Sequence, residues 1–590
     1  MLALDESHIL SLWLLIRGAR LGIGKRIAWA IATGCFLTAA GLYLCVVDVS
    51  AAFAQAPNDD ADPGQIRRRI EETRPKPVEP QPRPVLVPEE AAPAAGAIER
   101  PSFVLSAVVF EGNTIFAAGD LGFLYEDFLA RAVTLAEVQE ITQRVTKKYQ
   151  DAGYILSRAI VPPQGVQGGV LVVRVIEGYV ARVRFDGAPG QEDILAPYAD
   201  KITAVRPINL AALERYLLLI NDLAGFSVRN SAVQRMEEEG AHEITVTIGY
   251  DAFDGVAYVD NRGTPSVGRL QSWLSGAANS MFGLGERVQL GFFTIPNQPR
   301  ELLYGEFSYQ QPVGSEGTTL TATASASLVD PGASLAALDT EGQSTRFSLR
   351  ATHPILRARG GNLSVSGSID ILDVGEDRLG VTNFDDHLRV FRVGLDYLRD
   401  DSWDGTTTVA VEVSQGIDIL GASNAGDTAL SRPDGDGVFT KVTAKLTRTQ
   451  QIGQEFSIWA AIKGQISADP LLSAEEFSLG GSEFGRAYDF SEITGEDGIA
   501  GSVELRYGKS LNQEILKAFQ IYGFYDLGAV WNDDTQGDSR ESLASAGAGL
   551  RLTLPQSIFA TAEVAKPLTR TVSTTGDQDW RAFFSLSANF

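Results

Sequence analysis

An alternation of apolar and polar residues with a period of two recurs from Asp251 to Phe590 and constrains the fold more than any other feature. Between Thr319 and Leu328, every even position is Leu or Ala and every odd position is Thr or Ser. Comparable runs cover residues 363–371, 409–413 and 584–590, separated by turns rich in Gly, Asp, Asn and Pro. Successive side chains of a strand point to opposite faces, so this period indicates strands with one apolar face. The C-terminal region is therefore predicted to be all-β.

Two all-β architectures fit this alternation, and the alternation alone does not separate them. A soluble sandwich or propeller packs its apolar faces together, whereas a membrane barrel turns them to lipid and keeps a polar lumen. The barrel is favoured by the long Ser, Thr and charged faces, by an export-like N-terminus and by the lack of a visible blade repeat. At roughly 20 residues per strand with its turn or loop, residues 251–590 predict a barrel of about 16 antiparallel strands.

Residues 1–54 are predicted to be a signal peptide. Two basic residues precede the apolar run of residues 27–47, and residues 52–54 supply the small residues that a signal peptidase requires. An uncleaved anchor helix is the alternative, because the run is long enough to span a bilayer. Both cysteines of the chain, Cys35 and Cys45, lie in this segment, so a cleaved chain has neither a disulfide nor a thiolate metal site.

Residues 55–100 are rich in Pro, Ala and charge and are predicted to form an extended linker. Prolines crowd positions 75–88 in particular. Earlier in the linker, Asp62 followed by Pro63 is a helix-start signal. We therefore expect Gln65 to Glu72 to form either a short charged plug helix or a solvated tether.

The segment between the linker and the predicted barrel contains a loose internal repeat. Residues 110–112 (Phe-Glu-Gly) recur as residues 185–187 (Phe-Asp-Gly), and residues 152–154 (Ala-Gly-Tyr) recur as residues 224–226 (Ala-Gly-Phe). Each copy contains an amphipathic helical stripe, one behind Thr134 and one behind Asn209, with strand-like runs on both sides. The repeat predicts two α+β modules, at residues 101–178 and 179–250.

Two short motifs in the predicted barrel provide the most specific local information. The first consists of Gly485, Arg486, Ala487 and Tyr488, and the second of Phe524, Asp526 and Gly528 in the pattern Phe-x-Asp-x-Gly. Together with two modules ahead of a barrel, these motifs resemble the two-partner secretion transporters. Those proteins carry Val-Arg-Gly-Tyr or Val-Arg-Gly-Phe on a lumenal loop and Phe-x-Asp-x-Gly on the inner wall. The second motif matches in full, whereas the first matches at its Arg and its aromatic residue.

The resemblance implies an outer-membrane pore that captures an unfolded exoprotein in the periplasm and translocates it to the cell surface without ATP. The modules would be periplasmic polypeptide-transport-associated domains, and the barrel would lie in the bacterial outer membrane. The implied partners are a large exoprotein of the adhesin or haemolysin type, outer-membrane lipid and the barrel-assembly machinery. A salt bridge from Arg486 to Asp526 is implied to hold the lumenal loop against the wall. A barrel-assembly factor of the same superfamily and a diffusion or uptake porin remain alternatives.

Aromatic residues of the predicted barrel suggest two further features. Several tryptophans suit interfacial girdles if they fall near strand ends, although core packing is the alternative; these are Trp273, Trp403, Trp459 and Trp580. The sequence ends on an alternating strand that resembles the assembly signal of outer-membrane barrels, carried by Phe584, Leu586 and Phe590.

The composition argues against enzymes and nucleic-acid binding. The formal charge of −24 and the absence of a long basic block make nucleic acid an improbable partner. The histidines after residue 54 are scattered, and neither a P-loop nor a dinucleotide fingerprint is present, so no catalytic, metal or cofactor site is predicted. The acidic pairs at residues 385–386 and 533–534 lie in turn-like sequence and are interpreted as solvated loop residues.

Overall fold

The structure is a computed structural model, and it describes residues 62–74, 103–511, 513–534 and 537–590. The predicted signal peptide, its anchor-helix alternative and most of the Pro-rich linker lie outside the described residues. Among the helices within those ranges, none is both long and apolar enough to cross a bilayer.

The first module packs one long helix on a small sheet. Its strands are β1 (Phe103–Val104), β2 (Ala107–Glu111), β3 (Ala132–Val133), β4 (Arg158–Ile160) and β5 (Val170–Ile176), with β2, β5 and β4 forming one sheet. The helix Leu135–Asp151 begins with the capping box that its sequence predicted, in which Thr134 and Glu137 bond each other's backbone amides. Its apolar stripe, ending at Tyr149, is buried against the sheet.

The second module repeats this plan with an additional helix. Strands β6 (Tyr179–Asp186), β7 (Phe226–Arg235) and β8 (Ala241–Tyr250) form a sheet in the order β6–β8–β7. The helix Leu210–Asn221 contains the predicted stripe, whereas the helix Glu192–Ala204 was missed because Pro197 in its interior reads as a helix breaker. The backbone amide of Leu210 donates to the carbonyl of Gly153 at 2.8 Å, which links the two modules.

Sixteen antiparallel strands close into a barrel, which confirms the predicted fold class. The first eight are β9 (Phe253–Asp260), β10 (Gln271–Asn279), β11 (Arg287–Thr294), β12 (Leu302–Val313), β13 (Thr318–Val329), β14 (Thr340–Ala358), β15 (Gly361–Arg378) and β16 (Val381–Asp400). The next three are β17 (Gly405–Gly416), β18 (Thr440–Ile452) and β19 (Phe456–Ser467), followed by two short strands outside the barrel, β20 (Phe477–Leu479) and β21 (Ile493–Gly495). The last five are β22 (Asp497–Ser510), β23 (Ala518–Asp534), β24 (Gly537–Leu554), β25 (Ile558–Pro567) and β26 (Arg581–Asn589).

The alternation in the sequence corresponds to the two faces of this barrel. On β13, Leu320 and Leu328 are exposed on the outer surface, whereas Ser325 and Ser327 are buried on the inner one. An apolar outer surface around a polar lumen is what a lipid bilayer requires of a barrel.

The barrel closes where β26 pairs with β9. The strands share a register of five residue pairs, from Ser585 opposite Asp260 to Asn589 opposite Val256. Beyond it, the backbones of Phe590 and Gly255 exchange hydrogen bonds of 3.0 and 2.8 Å. The predicted assembly-signal residues point outward from this seam and are exposed; they are Phe584, Leu586 and Phe590. Their role in assembly remains a prediction.

Two of the four tryptophans face inward, which agrees with core packing, the alternative given above, and not with an interfacial girdle. Trp273 is buried on the inner wall, and Trp459 lines a lumenal cavity, because both lie at inward positions of their strands. Trp403 and Trp580 are exposed outside the strands, at turns or loops.

The second module docks on turns at one end of the barrel. Glu316, in the turn between β12 and β13, pairs with Lys201 at 2.8 Å and with Arg215 at 3.3 Å. The hydrogen bond from Lys201 holds the pKa of Glu316 below its usual range. A second contact joins the guanidinium of Arg357 to both carboxylate oxygens of Asp222. These pairs identify this rim as the module end of the barrel.

The helix predicted behind Asp62 is present and lies inside the barrel. It spans Pro63–Thr73, and the carboxylate of Asp62 accepts from the backbone amides of residues 64 and 65 at 2.7 and 2.9 Å. Its two isoleucines, Ile66 and Ile70, are buried against lumenal side chains that include Trp273. We call this element the plug helix.

Candidate functional site

A long loop between β19 and β22 folds back into the lumen and forms the candidate site. It comprises residues 468–496, and its two halves pair as the short hairpin β20–β21. We call it the lumenal loop. Its tip contains the motif predicted from the sequence, and the wall opposite contains the second motif.

The tip of the lumenal loop is a tight turn. The backbone amide of Tyr488 donates to the carbonyl of Gly485 at 2.8 Å, and Ala487 between them is fully buried. Gly485 has φ of +77°, a left-handed conformation that residues with a β-branched side chain rarely adopt. The glycine at the first motif position therefore gives this turn its shape.

Arg486 projects from this turn into a buried ion pair with Asp526 of β23. Its Nε and Nη2 atoms donate to the two carboxylate oxygens at 3.0 and 2.7 Å, and its backbone amide adds a third bond at 3.0 Å. The side chains are 4% and 0% exposed, so this pair is sheltered from solvent screening. The two sequence motifs thus meet through the pair that the resemblance implied.

The other two residues of the wall motif shape the surface around this pair. The Phe524 ring lies under the guanidinium of Arg486, with its centroid 3.6 Å from Cζ. At Gly528, an added Cβ would lie 2.6 Å from Leu479 Cδ1 and 2.9 Å from the carbonyl oxygen of Ile499. Glycine therefore permits the loop hairpin to lie directly on β23.

Sequence reasoning missed a second carboxylate and a hydroxyl that bind the same arginine. Glu504 accepts from Nη1 of Arg486, and Ser502 accepts from Nη2 at 2.9 Å. Both lie on the inward face of β22, where the alternation marks them as lumenal. Their meeting with Arg486 depends on strand register, in which Ser502 lies opposite Asp526. A single sequence does not specify that register.

Three further contacts fix the loop tip to the barrel. The hydroxyl of Tyr488 donates to the carbonyl of Ala544 at 3.1 Å. Arg581 donates to the carbonyl of Ala487 at 2.9 Å, and Arg262 donates to that of Arg486 at 3.2 Å. The docked tip is thus held through its backbone carbonyls as well as through its side chains.

The plug helix and the lumenal loop also contact each other. Ser473 of the loop donates to the Asp62 carboxylate at 2.7 Å, and Ser491 donates to the side-chain oxygen of Gln65 at 3.0 Å. On the other side, Arg346 of β14 donates to Glu71 of the helix at 2.9 Å. These polar contacts, which water can replace, act together with apolar packing of the plug-helix isoleucines and of loop residues such as Phe477 and Leu479.

The acidic pair at residues 385–386 is not a solvated turn. Both residues lie within β16, and Asp386 is fully buried, with one carboxylate oxygen accepting from the amide of Ser431 at 3.0 Å. The prediction was wrong because β16 is much longer than a bilayer-spanning strand needs, so turn-like residues continue the strand. Residues 533–534 likewise end β23 as strand rather than turn.

Replacing Gly485 with Val is expected to undock the loop tip. The residue would be strained by about 1–3 kcal/mol at positive φ, and its Cβ would lie 2.6 Å from Leu543 Cδ1. Protease sensitivity of the loop, measured on outer-membrane fractions, should rise. The matched control is Ala487→Gly, which needs no positive φ and should leave the loop protected. Equal protection in both variants would contradict this account of the turn.

The fold and the lumenal elements together define an outer-membrane transporter: a closed barrel, two modules at one end, a plug and an inward loop. Residues 243–552 match the family model of the haemolysin secretion/activation proteins ShlB, FhaC and HecB, and residues 103–178 match the ShlB-type POTRA domain. The chain belongs to this family of two-partner secretion transporters. Its barrel lies in the bacterial outer membrane and its modules in the periplasm, so the module end is periplasmic.

Individual relatives agree with this family. The heme/hemopexin transporter protein HuxB of Haemophilus influenzae is 22% identical over 476 residues, covering 78% of this chain and 82% of HuxB. The outer membrane transporter CdiB of Dickeya dadantii is 22% identical over 473 residues, covering 78% and 81%. Among solved structures, CdiB from Escherichia coli has a TM-score of 0.67 at 20% identity, covering 97% of this chain and 100% of that one. CdiB from Acinetobacter baumannii has a TM-score of 0.59 at 15% identity, covering 89% and 96%.

Proposed function

We propose that the protein captures an unfolded exoprotein in the periplasm and conducts it through the barrel to the cell surface without ATP. The observation that supports this proposal most is the construction of the lumen. It is filled by two elements, the plug helix and the lumenal loop, each attached to the wall by side-chain contacts. Because the barrel is closed by its own sixteen strands, these elements can leave without breaking the wall.

The Arg486–Asp526 pair is proposed to hold the lumenal loop in its docked position. A bidentate arginine contact is strong and directional, yet it is exchanged for water or for polar groups of a passing chain. The transported chain would displace the loop tip and the plug helix in turn, and both would return after it has left. In this proposal the wall motif of Phe524, Asp526 and Gly528 is the receptor for the tip.

The modules are proposed to receive the exoprotein by strand addition. Each module has a small sheet with edge strands, and the longest of these is β7, with ten residues. An extended segment that pairs with such an edge is held by main-chain hydrogen bonds, which do not demand one particular sequence. Docking of the second module on the barrel rim would deliver that segment close to the periplasmic mouth.

Outer-membrane lipid and the barrel-assembly machinery are proposed as further partners. The exposed apolar residues of the outer face, Leu320 and Leu328 among them, match the acyl region of a bilayer. The outward side chains of β26 are proposed to be read during insertion, and a large adhesin or haemolysin is the proposed cargo.

Deleting residues 101–250 is expected to reduce exoprotein export to background while the barrel still forms. The modules supply the proposed capture site, so the barrel alone has nothing to recruit cargo. The measurement is secretion of the cognate exoprotein from cells, with heat-modifiable migration of the barrel as the folding control. Continued export by a folded barrel would refute the proposed capture step.

The same deletion separates the alternatives. A diffusion or uptake porin should still conduct and sustain uptake without its modules. A barrel-assembly factor should instead lower the level of other outer-membrane barrels when its modules are removed. The family match favours the secretion transporter over both.

A further inference from the structure

A cavity of about 540 Å³ lies in the lumen between the plug helix, the tip of the lumenal loop and one side of the wall. The wall residues that line it come from β18, β19, β22–β26 and β9. Cations are prominent among them. We define the cationic track as five inward residues: the cavity-lining Lys445, Lys463, Arg506 and Arg551, and Arg581, which lies two positions before the cavity-lining Phe583 on β26 and binds the loop tip.

Carboxylates of the plug helix and of the lumenal loop form ion pairs with three of the five residues of this track. Lys463 pairs with Glu72 of the plug helix at 3.2 Å, and Lys445 pairs with Glu483 of the lumenal loop. Arg581 pairs with Asp489 of the same loop at 2.6 Å. When the plug helix and the loop leave, these three cations lose those partners together.

The wall itself supplies few carboxylates to replace them. Glu504 already serves two arginines of the track, accepting from Arg506 at 2.6 Å and from Arg551 at 3.1 Å. Glu563 pairs with a further cation, Arg262 of the β9–β10 turn. Even with Asp526, which is released when Arg486 departs, the wall carries an excess of positive charge. This excess is notable in a chain whose formal charge is −24.

Aromatic rings orient the arginines of the track. The guanidinium of Arg551 stacks on the Tyr522 ring with Cζ 3.8 Å from its centroid, and Arg506 lies 5.1 Å from the Trp459 ring. Stacking holds a guanidinium flat, so its N–H edge remains available to carboxylates and carbonyls beside it. An extended polypeptide offers both groups along its length.

On the opposite side of the lumen, the plug helix meets charges of both signs. Arg74, which follows the helix, pairs with the wall carboxylate Glu306, and Glu71 of the helix pairs with Arg346 of β14. The side that faces the cationic track presents the carboxylate of Glu72. Glu72 occupies the position that a carboxylate of a passing chain would take.

We propose that the cationic track is the path of the exported chain, and that it binds extended segments containing Asp and Glu. This inference rests on the proposed export function. The cargo carboxylates would replace Glu72, Glu483 and Asp489 one after another. The contacts of Lys463 and Lys445 are partly hydrated and therefore weak, whereas that of Arg581 is more buried. A series of mostly weak contacts permits binding along the wall without trapping the chain.

The test uses planar lipid bilayers and a variant that lacks residues 62–74 and carries Glu483→Gln and Asp489→Gln. In this variant Lys445, Lys463 and Arg581 all lose their carboxylate partners. Two unstructured peptides of equal length serve as probes, one of Gly, Ser and Asp and one of Gly, Ser and Lys. Added on the periplasmic side, the acidic peptide should block the current and the basic peptide should not. The open pore should also prefer anions to cations in its reversal potential.

Substituting Gln for Lys445, Lys463 and Arg581 should weaken the acidic block roughly tenfold. The matched control substitutes Gln for Arg287, Arg350 and Arg389. None of them lines this cavity, and their carboxylate partners, Asp254, Glu412 and Asp373, belong to strands of the barrel. It removes the same charge and should leave the block unchanged. Heat-modifiable migration verifies the barrel. If the deletion variant does not assemble, full-length protein with Ile66→Asp, Ile70→Asp, Glu483→Gln and Asp489→Gln replaces it.

Equal block by the two peptides, or equal loss in the two triple variants, would overturn the proposed path. Neither outcome touches the proposed export function, because these recordings involve no exoprotein. Conversely, continued export after deletion of residues 101–250 would refute the capture step. It would not change the result expected for the block by the acidic peptide.

Discussion

Replacing Arg486 with Ala is expected to abolish or nearly abolish export while leaving the barrel folded. The substitution leaves Asp526 buried at the loop receptor without its guanidinium partner, whereas Glu504 keeps its pairs with Arg506 and Arg551. Removing one partner of a buried ion pair costs about 3–5 kcal/mol, because the remaining charge stays unsatisfied. The equilibrium constant for docking of the loop therefore falls by a factor of about a hundred to several thousand, and water enters the receptor instead.

The measurement combines exoprotein secretion with protease access to the lumenal loop. Arg486→Lys keeps the charge but not the bidentate fork, so it should recover only part of the function. Arg287→Ala is the matched control, since it breaks a lumenal pair with Asp254 that does not touch the loop. Normal secretion by an Arg486→Ala protein with an accessible loop would exclude the assigned role of the pair.

Replacing Ile66 and Ile70 with Asp is expected to expel the plug helix and open the pore permanently. Both side chains are buried among apolar and aromatic residues of the inner wall. Burying an Ile stabilises a contact by about 1.5–3 kcal/mol, and an unpaired carboxylate in its place adds a further desolvation cost. The polar contacts of Asp62, Gln65 and Glu71 do not offset a loss of this size.

Single-channel recordings should show a several-fold larger and steadier conductance, and cells should become sensitive to large antibiotics that the outer membrane normally excludes. A control at an exposed helix position, Glu72→Gln, removes one weak ion pair and should give only brief openings. Wild-type conductance in the double variant would mean that the plug helix does not close the pore.

The overall fold was predictable because it depends on a pattern that every strand repeats. The alternation between Thr319 and Leu328 predicts both that the segment is a strand and which of its faces meets lipid. This prediction does not require knowing which strands lie beside it. The strand number followed from chain length, and the capping signals at Thr134 and Asp62 located two helices. These are local properties, and local properties are encoded within a few residues.

Features that depend on register or on long strands were not predictable. Glu504 is recognisable as lumenal, but its meeting with Arg486 requires both the β22–β23 register and the path of the loop. Trp273 is of a residue type that is common in interfacial girdles. It packs on the plug helix instead, because its position in β10 faces inward. Asp386 was misread because acidic pairs are typical of turns, whereas β16 continues through them.

The seam between β26 and β9 has a consequence for how the protein folds. It joins strands from opposite ends of the barrel sequence, whereas every other neighbouring pair in the barrel is sequential or separated only by the lumenal loop. The sequence separation of these two strands is the largest in the barrel. Because contacts between distant residues form slowly, we expect this pairing to form last. Until then β9 and β26 both present unpaired backbone edges, the structures most prone to aggregate. The two edges of this seam are therefore where we expect aggregation to begin in a barrel that has not yet closed.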